Sequence, residues 1–179
     1  MKNLSIIWVM VLACLISVTS MFGQSASKKN KIIADSKTAK VEFIKADPLM
    51  KGLFEKANGY VIFPNVGKGG IGVGGAAGNG VVYEHNKMVG MAKLTQLSIG
   101  FQAGGQAYRE VIFFETKDDM DRFKESRLEF SAQVSAVAVT AGASANVKYA
   151  NGIMVFTMQK GGLMYEASVG GQKFKFNKL

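Results

Sequence analysis

The residue types best suited to catalysis are sparse in this chain, and their spacing argues against it. His85 is the single histidine and lies in the polar run Glu84-His85-Asn86-Lys87; the single cysteine, Cys14, lies in an apolar N-terminal stretch. One imidazole and one distant thiol exclude zinc or copper sites of ordinary composition, and a Ser-His triad has no other histidine to use. Gly70-x-Gly72-x-x-Gly75 matches the dinucleotide fingerprint as a string. That motif needs a helix opening at the glycines to meet the pyrophosphate, whereas Ala76-Ala77-Gly78-Asn79-Gly80 and a further strand follow here. Lys68, in Gly67-Lys68-Gly69-Gly70, has no Ser or Thr after it and is not a P-loop lysine. Asp118, Asp119 and Asp121 are explained by a helix start, where acids complement the dipole. The expectation is a protein without enzymatic activity, metal or cofactor.

What the chain does carry is positive charge. The 22 basic against 13 acidic residues give +9, which attracts anionic partners: phospholipid, nucleic acid or acidic polysaccharide. From Ser27 to Ala57 eight lysines (Lys28, Lys29, Lys31, Lys37, Lys40, Lys45, Lys51, Lys56) face four acids (Asp35, Glu42, Asp47, Glu55). Ile32, Ala39, Phe43 and Ala46 fall on one helical stripe, widened by Ile33 and Ile44, so the segment reads as an amphipathic helix. Asp47 as cap and Pro48 at a first helical position start a second helix, Leu49 to Lys56, which Asn58-Gly59 ends. Such a cationic helix either packs its apolar face on a core or lies on an anionic membrane.

Before it, Lys2 and the apolar run Ile6 to Ile16 have the form of a secretory leader over residues 1–23, with the cut near Ser20, Gly23 or Ser25. An uncleaved anchor and a lipid-bearing Cys14 are the alternatives, and the leader argues against nucleic acid as partner. The expected location is the periplasm or the periphery of the cell envelope. Without Cys14 the remaining chain has no disulfide and rests on packing alone.

The positioning elements are mostly strands. Twelve of the 21 glycines lie between Gly67 and Gly105, alternating or pairing with Ile, Val, Ala or Phe. Glycine at alternate positions lets one face of an extended chain approach another backbone closely. Tyr60 to Phe63 reads as a short strand stopped by Pro64-Asn65, followed by the glycine-rich strand. Val81 to Tyr83 and Met88 to Met91 flank a hairpin turn at residues 84–87. Leu97 to Ala107 and Val111 to Phe114 continue the sheet. Thr116 and Asp119 form a capping box for a helix from Lys117 to about Ser126. Leu128 to Tyr149 is strand-like, and Ile153 to Met158 with Leu163 to Val169 reads as a terminal hairpin. Lys173-Phe174-Lys175-Phe176 reads as an edge strand protected by lysines. The fold class is α+β: a β-dominated antiparallel sandwich or barrel-like sheet with N-terminal helices and one short internal helix. A single domain over 27–179 is expected, with a basic helical part at 27–57 and a glycine-rich β-core at 59–179. An outer-membrane barrel also fits alternating strands, but clear aromatic girdles are missing.

The run GYVIFPNVGKGGIGVGG, then GNGVVYE and LSIGFQAGGQAYREVIFF, resembles the core of the SYLF lipid-binding domain family, and SAQVSAVAVTAGASA and QKGGLMYEASVGG resemble its C-terminal half. The resemblance spans about Ile32 to Phe176. It implies non-enzymatic binding of anionic phospholipids, including phosphoinositide-like headgroups, largely through the N-terminal amphipathic segment. Carried onto this chain, Lys28, Lys29, Lys31, Lys37, Lys40, Lys45 and Lys51 are the electrostatic contacts, and Ile32, Ile33, Phe43 and Ile44 the inserting side chains. The alternative is a structural module docking an envelope protein partner through the same basic surface; relatives are also linked to actin. The two readings part on whether the helix's apolar stripe is buried on the sheet.

Overall fold

A computed structural model describes residues 26–71, 73–99, 106–130, 134–161 and 169–179. The leader, Cys14, and most of the segments 97–107 and 163–169 expected as strands at their loop ends lie outside or partly outside these residues. A helix over residues 26–46 (α1) is followed by α2 (Met50–Lys56), then β1 (Gly59–Ile71), β2 (Val73–Glu84), β3 (Lys87–Ile99) and β4 (Gln106–Phe114). After α3 (Lys117–Lys124) come β5 (Val137–Ala138), a 3-10 turn at Ala143–Asn146, β6 (Ile153–Gly161) and β7 (Gln172–Lys178). The sheet order is β5-β6-β4-β1-β2-β3-β7. Every pairing is antiparallel except the short β5–β6 pair. The order has two ends, so the sheet is not a closed barrel.

Two layers of side chains flank this sheet because strand residues alternate sides. On one face Tyr60, Ile62, Val81, Tyr83, Val111 and Phe113 pack beneath α1 and α2. On the other, Val61, Phe63, Val66, Ile112, Phe114 and Phe174 build the larger core, which α3 closes with Met120 and Phe123. The sheet coils around this second face. Gln172 on β7 hydrogen-bonds Glu110 on β4 at 2.9 Å, and Phe174 lies 5.9 Å from Phe63 on β1, although several strands separate them in the sheet order.

The hairpin turn at His85-Asn86 stands as expected, both residues taking the left-handed conformation (φ 46° and 62°). So does the capping box: Thr116 accepts from the Asp119 N–H while Asp119 accepts from Thr116. Three readings change. Pro64 does not end a strand: β1 runs on through a bulge between Phe63 and Val66, where a missing N–H is tolerated. Among the described residues of Leu128 to Tyr149 only Val137–Ala138 pairs in a ladder, since the Ala, Ser and Gly residues there offer little area to bury. Pro48 precedes the second helix, which starts at Met50.

The glycines divide into two kinds. At Gly90 a β-carbon would collide with the Phe176 ring and stand 2.6 Å from the Asn177 carbonyl oxygen of β7. At Gly67 it would meet nothing within 4 Å. Gly90→Ala therefore wedges β7 away from β3 and is expected to cost roughly 2 kcal/mol in urea unfolding, whereas Gly67→Ala shifts stability by less than about 0.5 kcal/mol. Equal losses from both would show that the close strand approach at Gly90 carries no weight.

Candidate functional site

The basic helix is seated on the sheet by its apolar stripe. Ser36, Ala39 and Phe43 have no exposed surface, and Ile32, Ile33 and Ile44 are half-buried against the same cluster. Polar ties add to the seat: Ser36 and Tyr83 share a hydrogen bond of 3.3 Å, Asn65 donates to Asp35 at 3.2 Å, and Arg109 of β4 pairs with Glu42. The four side chains expected to insert into a bilayer thus face the protein's own core. In this arrangement Phe43 meets no solvent, and insertion through the stripe requires α1 to leave the sheet.

The seven lysines separate into three groups. Lys40 is a packing residue: its ammonium donates to the Tyr60 hydroxyl and to Asn86 Oδ1, both at 2.9 Å, and stands 4.8 Å from the centre of the Phe54 ring. Burial lowers its pKa, only partly offset by Glu55. Lys31 pairs with Asp35 at 3.1 Å and Lys51 with Glu55 at 3.9 Å, exposed pairs of the kind that contribute little. Lys28, Lys29, Lys37 and Lys45 are exposed and form no ion pair among the described residues. Lys37, Val41 and Lys45 recur every four residues and so share one outward stripe; Val41 is 64% exposed. Leu49, just beyond, is 55% exposed. The result is a cationic outer face with two solvent-facing aliphatic side chains, presented on a helix held from beneath.

Asp47 fixes the turn between α1 and α2. Fully buried, its carboxylate accepts from the Ser144 N–H at 2.8 Å, the Ser144 hydroxyl at 2.7 Å and the Leu49 N–H at 3.1 Å. Burial works against ionisation, but these donors outweigh it and hold the carboxyl below its usual range. The Asp-Pro signal marked a helix start in the sequence; the bond to a residue 97 positions away left no local trace.

Sequence reasoning also missed a polar group inside the larger core. Glu110 has no exposed surface; Oε2 accepts from Gln172, while Oε1 has no partner among the described residues. Burial pushes its carboxyl up to about 8, and the Gln172 bond only moderates this. Alternation in Arg109-Glu110-Val111 places Glu110 on the face of Tyr108 and Ile112, but a charged residue in a strand reads as solvent-facing until the sheet's coiling is known. Gly70 lies near the end of β1 and Gly74 and Gly75 near the start of β2, so a strand and not a helix carries the latter two, and His85 is exposed at its turn. Among the described residues no cluster of metal-ligating side chains occurs, and no helix is long and apolar enough to cross a membrane.

Comparison with known proteins agrees with the motifs. The chain is 27% identical over 171 residues to Beta cell expansion factor A of Aeromonas veronii, an alignment covering 90% of this chain and 62% of that protein. The chain thus spans about three-fifths of that relative's length. Residues 95–178 match the family model described as "Ysc84: Las17-binding protein actin regulator". With the glycine-rich motifs resembling the same domain, this match makes residues 95–178, from the end of β3 through β7, similar to the Ysc84 (SYLF) family.

Proposed function

We propose that the protein is a non-enzymatic, peripheral binder of anionic phospholipid surfaces, exported to the cell envelope, and that it adsorbs through the outer face of α1 with the helix still seated on the sheet. The observation that carries this reading is the stripe of Lys37, Val41 and Lys45, exposed and without acidic partners among the described residues. Each lysine near an anionic bilayer contributes about 1 kcal/mol, and Lys28 and Lys29 extend the same charge toward the N-terminus. Headgroups such as phosphoinositides, with clustered phosphates, suit that spacing best.

The test is co-flotation with phosphatidylcholine vesicles, with and without phosphatidylglycerol. Binding is expected only with the anionic lipid and falls as salt shortens the screening length. Lys37→Glu with Lys45→Glu removes two attractions and adds two repulsions, weakening binding by on the order of a hundredfold. Undiminished binding in the double variant would discard this face. A protein partner docking on the same face is the second reading, favoured by the buried stripe and by the family's description as binding a protein; absence of vesicle binding under every condition selects it.

A further inference from the structure

Outward-facing residues of β2, β3 and β7 form an exposed cationic surface of their own. Side chains alternate along each strand: Ala92, Leu94 and Phe174 point into the larger core, and the positions between them point out. Strand register sets Lys93 directly opposite Lys175 and Thr95 directly opposite Lys173, with Asn79 of β2 on the other side of Lys93. All five are exposed, and so is Leu97, 84% exposed at the next outward position of β3.

Directly opposed side chains start about 5 Å apart and diagonal ones about 7 Å apart, so the three lysines rise from one small area of sheet. Like charges so placed repel one another. One acid answers them: Glu129, paired with Lys173 at 3.2 Å. Lys93 and Lys175 make no ion pair among the described residues. A phosphate-bearing surface supplies the missing counter-charge, and the Thr95 hydroxyl and Asn79 amide add neutral donors beside the lysines. Leu97 contributes an aliphatic side chain of the kind that the bilayer interface accepts. Lysines next to a solvent-facing aliphatic side chain are also what Lys37, Val41 and Lys45 present on α1.

Coiling of the sheet decides where this surface points. The Phe63 ring of β1 and the Phe174 ring of β7 meet at 5.9 Å inside the core, while α1 packs on the other face of β1, over Tyr60 and Ile62. Each strand turns its second face away from the shared core, so the lysines of β7 and the outer stripe of α1 stand on opposite sides of the molecule. We propose that the β3–β7 face is a second contact for an anionic bilayer, and that the protein, held by α1 to one membrane, bridges it to another. The bridge rests on the reading of α1 given above; the β3–β7 contact uses no residue of α1 and stands or falls apart from it.

Co-flotation and light scattering of the full chain with vesicles of phosphatidylcholine and phosphatidylglycerol read the two contacts separately. The parent chain is expected to float and to cluster the vesicles, and clustering rises and then falls as excess protein covers every surface singly. Lys93→Glu with Lys175→Glu still floats, weakened less than about twofold because α1 carries more unpaired lysines, and clusters nothing. Lys37→Glu with Lys45→Glu also clusters nothing; adding Lys93→Glu and Lys175→Glu lowers its residual flotation at least about tenfold further, as reversing two charges near an anionic surface does. Lys117→Glu with Lys148→Glu, two exposed lysines on neither face, changes net charge equally and clusters as the parent does. Lys93→Gln with Lys175→Gln removes the charge without reversing it and loses clustering too, so the inference remains testable if the Glu variant fails to fold. The bridge is overturned if the parent floats without clustering, or if Lys93→Glu with Lys175→Glu clusters vesicles as the parent does. Flotation that depends on Lys93 and Lys175 alone discards α1 and the bridge with it, and absence of flotation in every protein discards both contacts.

Discussion

Glu110→Gln is expected to raise the melting temperature at pH 7 by about 10 °C and to remove most of the pH dependence of stability between pH 4.5 and pH 8. The carboxyl has an ordinary value of 4.5 and is pushed up to about 8 in the fold by burial among Tyr108, Ile112 and Phe63. Between those values the unfolded chain has released the proton and the folded chain still holds it. Stability contributed by the neutral acid is therefore fully present below pH 4.5, declines as pH rises, and is lost by the time pH passes 8. The whole span corresponds to about 5 kcal/mol, of which about 3 kcal/mol is already lost at pH 7. Glutamine has the shape of the protonated acid and bears no charge at any pH. Its amide also supplies a donor beside Gln172 Oε1, which has none among the described residues. For a chain of this length 1 kcal/mol moves the melting temperature by roughly 2–4 °C, which gives the shift quoted. Thermal unfolding of both proteins across pH 4 to 9 checks it: the two curves converge at the acid end and part progressively above pH 5. Parallel curves would mean that Glu110 ionises in the folded protein as it does in water.

Asp47 gives the opposite sign. Asp47→Ala leaves the buried Ser144 N–H and hydroxyl and the part-buried Leu49 N–H without the acceptor that the fully buried Asp47 supplies. Buried donors stripped of a charged acceptor cost about 1–3 kcal/mol each, partly shared through relaxation, so a loss of about 3–4 kcal/mol is expected in urea unfolding. Asp47→Asn keeps an acceptor oxygen and loses the charge, at roughly half that cost. Because the carboxyl is held below its usual range, its contribution is present above the unfolded value and disappears as pH falls through the folded one. The difference between parent and Asp47→Ala therefore narrows in acid, whereas that between parent and Glu110→Gln narrows there because both side chains are neutral. A variant at Asp47 as stable as the parent would show that the α1–α2 turn is not anchored to the 3-10 turn at Ala143–Asn146.

The placement of α1 bears on how the surface works. A helix laid on a bilayer by its apolar stripe gains from every inserted aliphatic side chain. Here Ala39 and Phe43 already have no exposed area, and Arg109, Tyr83 and Asn65 hold neighbouring polar groups of the helix. Moving the stripe into lipid would exchange one apolar environment for another and uncover Tyr60, Ile62 and Phe113 beneath it. Adsorption with the helix in place keeps that core intact and still presents Lys37 and Lys45.

Much of this protein was legible in short stretches of chain. The stripe of Ile32, Ala39 and Phe43, the Thr116 to Asp119 capping box and the turn at His85-Asn86 each depend on residues a few positions apart, and local geometry decides them. The sparse histidine and cysteine sufficed to turn attention from chemistry to charge. Which lysines remain at the surface was settled by tertiary structure: Lys37 and Lys40 are alike in sequence, yet one faces solvent and the other caps Tyr60 and Phe54, because helix phase against the sheet separates them. The same holds for Glu110, Lys68 and Gln172. They lie far apart along the chain, on strands whose alternation names a face but not whether that face is wet. Coiling of the sheet brought β7 across to β4 and enclosed them, and with enclosure came the raised carboxyl of Glu110 and its hydrogen bond to Gln172.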